Sequence, residues 1–190
     1  MSTMIVVAEK TVAPPRKDPD AHIIRGLAAG HPDAPAELAE RFQAPLRAFI
    51  GRLVSGDDQL VAELVQDTLV AVWKGAARFD GRSRASTWVF SIAHRQAATA
   101  LRRRRPPAEP LSDDLRAPAD PSPIEHDDLH HALAALPTAQ RAVLELTFTF
   151  GFSYREIAQI LQIPEGTVKS RAATARNTLR QALEHEDRRP

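Results

Sequence analysis

Residues 151–171 read GFSYREIAQILQIPEGTVKSR. Ser153, followed three positions later by Glu156, has the form of a capping box that starts a helix. Ile157, Ile160 and Leu161 recur at spacings of three and four, so Tyr154–Leu161 reads as a short helix with one apolar face. Gln162-Ile163-Pro164 interrupts it, and a longer helix begins near Glu165 and runs to about Glu184. Ala158 is small where the two helices must approach, and Ile163 and Val168 lock their crossing. A short helix, a tight turn and a longer basic helix form a helix-turn-helix. Thr167, Lys169, Ser170 and Arg171 then stand near the amino end of the second helix, from which side chains reach base edges and phosphates. An ordinary helical hairpin with a solvated basic face is the alternative that these residues leave open.

Upstream, Pro137 suits the first position of a helix running to about Phe150, ended by Gly151-Phe152. Ile124–Leu136 reads as one more helix. Residues 106–123 hold six prolines, several acids and no periodicity, and read as a flexible linker. Before it, Arg84 to Arg104 reads as a helix with Trp88, Val89, Ile92, Ala93 and Leu101 inward. Phe79-Asp80-Gly81-Arg82-Ser83 is a loop. Asp58 to about Arg78 is a strong helix whose buried stripe is Leu60, Leu64, Val65, Leu69, Val72, Trp73 and Ala76, with Gln66, Asp67, Val70 and Lys74 facing elsewhere. Asp57 closes a Ser55-Gly56-Asp57 turn as a capping residue. From Asp20 to Leu53 two helical stretches alternate with breakers at Gly30, Pro32 and Pro35; Leu38, Phe42, Leu46, Phe49, Ile50 and Leu53 form one apolar face. Residues 1–19, with Pro14, Pro15 and Pro19, read as a disordered extension.

The expected fold is therefore all-α. Two small helical domains, 20–105 and 124–185, are joined by an acidic, Pro-rich linker at 106–123, with a short tail at 186–190. Composition agrees. Hydrophobic residues make up 43% and aromatics 5%, a balance that favours packed helices over a β-sandwich. With no cysteine, a disulfide scaffold and cysteine-ligated metal sites are excluded. No apolar run approaches the roughly 20 residues of a membrane span. The start, Met4 to Ala8, is too short for a signal-peptide core, so a cytoplasmic location is expected.

The net charge of +1 conceals an asymmetry. Arg78, Arg82, Arg84, Arg95 and Arg102 to Arg105 face Asp80 alone. Glu109, Asp113, Asp114, Asp120, Glu125, Asp127 and Asp128 face Arg116 alone. Lys169, Arg171, Arg176 and Arg180 then restore basicity. Two basic blocks around an acidic one suggest two nucleic-acid surfaces and a spacer. The first block, with Trp88 and Phe90 behind a glycine loop, suits unstacked single-stranded bases. A core role for Trp88, and a solvated helix end for the arginine run, are the alternatives.

These blocks carry a resemblance. Leu64-Val65-Gln66-Asp67-Thr68, Trp73, Arg78-Phe79-Asp80-Gly81-Arg82-Ser83 and Thr87-Trp88-Val89-Phe90-Ser91-Ile92-Ala93 resemble the second conserved region of group 4 sigma factors, the extracytoplasmic-function (ECF) members of the sigma-70 family. Ala135 to Arg141, Gly151 to Ala158 and Ile163 to Arg171 resemble their fourth. The resemblance covers about Ala21 to Leu183, in the right order.

The resemblance implies a chain that binds core RNA polymerase, recognises the −35 and −10 promoter elements and opens the DNA, with no bond made or broken by the chain itself. Gln66, Asp67 and Val70 match the face that docks on the polymerase β′ clamp; a carboxylate facing a basic partner helix makes a charge-assisted contact. Phe79, Asp80, Arg82, Ser83, Arg84, Trp88, Arg95, Thr99, Arg102 and Arg103 match the part that melts the −10 element and traps a flipped base. Ser153, Arg155, Glu165, Thr167, Lys169, Ser170, Arg171, Ala173, Thr174 and Arg176 match the reader of the −35 duplex. The fourth region is also expected on the polymerase β flap, and the acidic linker either mimics nucleic acid in the polymerase channel or acts as a solvated spacer. Arg95 stands where members often carry Asn, which moves the expectation there from base reading to phosphate contact. Ala173 and Thr174 stand where bulkier or basic residues are common, so −35 affinity is expected to rest on Lys169, Arg171 and Arg176. An anti-sigma factor is the expected regulatory partner, and the nucleoid the expected place of action when polymerase is bound.

Two other classes account for less of the chain. A conventional helix-turn-helix regulator explains the carboxy half but not the arginine block or the Trp88 motif; it would bind duplex DNA alone, usually as a dimer. A nuclease or deaminase needs clustered carboxylates or metal ligands, and the acids here are spread along linkers and helix faces. His126 and His130 are spaced i, i+4 on an expected helix and could ligate a metal, but with no cysteine nearby they read as a surface helix face, so no metal and no cofactor are expected.

Overall fold

The computed structural model describes residues 18–54, 57–104 and 136–186, with side chains as far as Gln181. The expected extension over residues 1–17, the linker at 106–123, the helix at Ile124–Leu136 (save Leu136 itself) and the tail from 187 lie outside the described residues, as do His126 and His130. Among the described residues there are seven α-helices and no strand.

Helix α1 (Ala21–Ala29) ends where Gly30 takes a left-handed φ of 74°, which a side chain would strain. Helix α2 (Ala34–Val54) accepts Pro35 in its first turn, where no N–H is missed, and carries Pro45 in its interior. Asp57 caps α3 (Asp58–Gly75), accepting the Leu60 N–H at 2.9 Å. A 3₁₀ turn, Ala76–Arg78, tightens its end, so the single helix expected to Arg78 closes three residues early. Helix α4 spans Ala85–Arg104. Helices α5 (Thr138–Phe148), α6 (Tyr154–Leu161) and α7 (Glu165–Glu186) follow. Pro137 is the cap of α5 rather than its first residue.

The first four helices enclose Ile24, Phe42, Leu46, Phe49, Ile50, Val72, Val89 and Ala93, all essentially without solvent exposure. Truncating one of the large side chains to Ala costs about 2–5 kcal/mol. The inward stripe of α3 is Leu60, Val61, Leu64, Val65, Thr68 and Val72. Thr68 is tolerated there because its hydroxyl donates to the Leu64 carbonyl at 2.7 Å. Trp73, expected inward, is instead 55% exposed, because Val72 already fills the core and the next residue is turned about 100° away around the helix. Leu69 and Leu101 are half-buried.

In the last three helices Leu146, Ile157, Ile160 and Val168 are fully enclosed. On α7 the buried positions Val168, Ala172 and Ala175 recur every three or four residues, which leaves the opposite face to solvent.

The two helical groups share a seam. Phe90 of α4 meets Phe150 and Phe152, from the turn between α5 and α6, at ring-centroid distances of 5.0 and 5.1 Å. Phe49 of α2 stands edge-on to Phe150 at 6.3 Å. Each such pair contributes about 0.5–1.5 kcal/mol beyond area burial. Arg52 of α2 reaches Glu145 of α5 at 3.3 Å.

Candidate nucleic-acid interface

Ser153 and Glu156 build the start of the helix-turn-helix. The Glu156 Oε2 accepts the Ser153 N–H at 2.8 Å and its hydroxyl at 2.7 Å, while the Ser153 Oγ accepts the Glu156 N–H. The expected capping box is therefore present, and α6 has the expected bounds. Its end is made by Gln162 in a left-handed conformation, φ 56°, a position where glycine is usual. That turn sets α7 across α6 and fixes which residues face out.

Lys169, Ser170, Ala173, Thr174 and Arg176 lie on the exposed face of α7, with Glu165 at its start; Thr167 and Arg171 are half-buried. Lys169 pairs with Glu165 at 2.9 Å, and this pairing holds the Glu165 carboxyl below its ordinary range. Arg176 donates to the Tyr154 hydroxyl at 3.0 Å. Arg155 is exposed on α6, and Ser153 is exposed but occupied with its cap.

The other basic surface lies at the start and along the outer face of α4. Asp80, Arg82, Arg95, Arg102 and Arg103 are exposed; Phe79, Ser83 and Thr99 are half-buried. Asp80 accepts the Arg82 N–H at 3.0 Å, shaping the loop. Trp88 is half-buried, 5.2 Å from the Phe79 ring, with its six-membered edge over Gly75; a Cβ on Gly75 would meet it at 3.4 Å. The indole thus props the loop against the end of α3. His94, beside Arg95, is pushed below its ordinary value by burial and then by the neighbouring guanidinium, so it stays neutral. Arg104 reaches back to Asp57 and ties the end of α4 to the start of α3.

Arg84 differs from the other cations. It is half-buried, and its Nη1 faces the Glu156 Oε1 at 3.5 Å. Thr87 donates to the same oxygen at 3.4 Å. Sequence reasoning missed Thr87 and Glu156 at this junction, since nothing local links positions 69 residues apart.

On α3, Gln66 and Asp67 are exposed and Val70 is 40% exposed. Trp73 extends this face one turn further along the helix. The signal was present in the sequence, because positions 66, 70 and 73 share one helical face. Among the described residues no group of acids and histidines suits a metal ion, and no helix is long and apolar enough to cross a membrane.

Known proteins resemble this chain in sequence and in fold. The family model for Sigma-70 region 2 matches residues 38–106, and that for Sigma-70, region 4, matches residues 126–183. The ECF RNA polymerase sigma factor RpoE of Cereibacter sphaeroides is 36% identical over 158 residues, covering 78% of this chain and 85% of the relative. The ECF RNA polymerase sigma factor SigM of Mycobacterium tuberculosis is 30% identical over 166 residues, covering 86% and 84%. Among solved structures, CnrH in complex with the cytosolic domain of CnrY superposes with a TM-score of 0.63 at 26% identity, covering 87% of this chain and 97% of that one. The sigma factor RpoE in complex with the anti-sigma factor NepR from Bartonella quintana gives 0.60 at 28% identity, covering 78% and 96%. The region 2 match occupies the part that a conventional regulator would use for sensing. By its two region matches and its curated relatives, this chain belongs to the ECF RNA polymerase sigma factors of the sigma-70 family.

Proposed function

We propose that the chain docks on core RNA polymerase through the α3 face of Gln66, Asp67, Val70 and Trp73, and brings two DNA-reading surfaces to the promoter. The surface at residues 79–103 takes the opened −10 strand. Arg82, Arg95, Arg102 and Arg103 meet phosphates, and the Phe79–Ser83 loop propped by Trp88 holds an unstacked base. The outward face of α7 takes the −35 duplex. Lys169 and Arg176 neutralise phosphates, Thr174 and Ser170 reach toward base edges, and Ala173 leaves room for close approach. Residues 20–105 act as the first of these units and 124–185 as the second, with 106–123 as their tether. The chain makes no bond. It supplies position and strand-opening energy while polymerase does the chemistry, in the cytoplasm and on the nucleoid. An anti-sigma factor is its regulatory partner, and the β flap of polymerase receives the second unit.

The observation that carries this reading is the division of α7. Val168 and Ala172 are buried in the core that holds Ile157, Ile160 and Leu161 of the capped short helix, Ala175 is buried with Leu136 and Leu144, and a polar, cationic row is exposed on the other side. The test is run-off transcription with purified core polymerase across a promoter library. Start-site selection that appears only with the chain is the expected result. Transcription indifferent to the chain would overturn it.

A further inference from the structure

A cleft of about 360 Å³ lies between α2, the start of α4 and the turn after α5. That volume falls in the range of small-molecule sites. Phe42, Phe90, Phe150 and Phe152 give it aromatic walls, against which a flat ring packs edge-on or offset.

Two arginines interrupt these walls, and they are not equivalent. Arg41 holds the Asp20 carboxylate through Nε at 2.7 Å and Nη2 at 3.2 Å, so its fork is filled by the chain itself. Arg84 meets Glu156 through Nη1 at 3.5 Å, and its Nε is buried with no hydrogen-bond partner among the described residues. Nε and Nη2 share one edge of a guanidinium, the edge that Arg41 turns to its carboxylate. On Arg84 that edge is open.

Ser86 supplies the second unmet group. Arg84 and Ser86 flank Ala85, the first residue of α4, and both line the cleft. Ser86 is 7% exposed, and its hydroxyl is buried with no partner among the described residues. Two buried donors left without acceptors are costly, and an acceptor entering the cleft recovers that cost.

The chemistry of the walls narrows the acceptor. A neutral carbonyl would leave the guanidinium charge shared only across the 3.5 Å contact with Glu156. A carboxylate has two oxygens for the open edge and the hydroxyl, and it carries the matching charge. A dianion such as phosphate would find one open edge only, with the Glu156 carboxylate on the far side of the same guanidinium. The four phenylalanines call for an apolar, flat body behind the acid.

We propose that this cleft binds a small aromatic carboxylate, whose acid takes the open Nε–Nη2 edge of Arg84 and the Ser86 hydroxyl, and whose ring lies among Phe42, Phe90, Phe150 and Phe152.

The test is calorimetric titration of the full chain with phenylacetate. Acetate, the acid without the ring, and 2-phenylethanol, the ring without the acid, are titrated beside it. Saturable binding of phenylacetate at about 1 mM or tighter, about tenfold or more above either fragment, is the expected result. Arg84→Lys keeps the charge but loses the fork, and should weaken binding about tenfold. Ser86→Ala should weaken it about three- to tenfold, yet leave the melting temperature unchanged or raised, because it removes an unpaired buried hydroxyl. Should Arg84→Lys fail to fold, Ser86→Ala decides. No saturation up to about 10 mM overturns the proposal. So does equal binding of either fragment, and so does phenylacetate binding that the substitutions leave unmoved. The titration contains neither polymerase nor promoter, so each of these failures leaves the promoter-reading function standing.

Discussion

Asp18 accepts the backbone N–H of Ala85 at 2.6 Å, across 67 residues of sequence. Helix α4 has no acidic residue in its own first turn. A residue from the very start of the described chain therefore supplies both the missing hydrogen bond and the negative charge that a helix amino end favours. Asp20, 3% exposed, is tied to Arg41 at 2.7 and 3.2 Å and anchors the same segment.

Replacing Asp18 with Ala should lower stability by about 1 kcal/mol. Thermal melting should shift downward by about 2–4 °C. Because α4 follows directly on the Phe79–Ser83 loop, the same variant should also loosen that loop of the proposed −10 surface, measurable as faster amide exchange there. A melting curve superimposable on the parent's would remove the capping role.

Trp73→Ala should separate binding from folding. The side chain is more than half exposed, so the melting temperature should stay within about 2 °C. Affinity for core polymerase should fall about tenfold or more, as for an aromatic anchor in a desolvated contact. Unchanged affinity in a pull-down titration would take Trp73 out of the docking face.

Lys169→Ala and Arg176→Ala should each weaken binding to −35 duplex and reduce the slope of log K against log salt by about 0.9. Tyr154→Phe should mimic part of the Arg176 loss, because it releases the guanidinium from the phenolic oxygen that positions it. A salt slope that does not move would mean that these cations do not meet phosphates.

The two seam carboxylates should respond to acid in opposite senses. The folded value of Glu156 lies below the ordinary glutamate value of 4.5, so its contribution is present above 4.5 and is lost as pH falls through the folded value. That of Glu145 lies above 4.5, so its contribution is present below 4.5 and is lost as pH rises through the folded value. In urea titrations at a series of pH values, Glu156→Gln should flatten the loss of stability below pH 4.5. Glu145→Gln should leave that loss in place and remove the penalty above it. Identical pH profiles for both variants and the parent would refute the assignment.

The helix-turn-helix was readable because its determinants are local. Ser153 and Glu156 are three residues apart, and the apolar spacing of Ile157, Ile160 and Leu161 marks one face within two turns. Trp73 was misread because a helical stripe is wide enough to admit it until the neighbours of Val72 are known. The Asp18 cap and the Glu156–Arg84 contact have no local trace at all. Trp88 matched the family pattern, yet its packing on Phe79 and over Gly75 appears only once α3 and α4 are side by side.

By itself, then, the order of residues determined an all-helical chain, the capped short helix and the basic one after it, and the family to which both regions answer. These follow from hydrogen bonds and periodicities that span a few residues. Only the tertiary structure decided that Arg84 faces a carboxylate, that Trp73 faces solvent, and that four phenylalanines from α2, α4 and the α5–α6 turn meet in one seam. Burial and pairing between distant segments depend on how helices cross, and crossing is set by the summed packing of many side chains rather than by any short stretch.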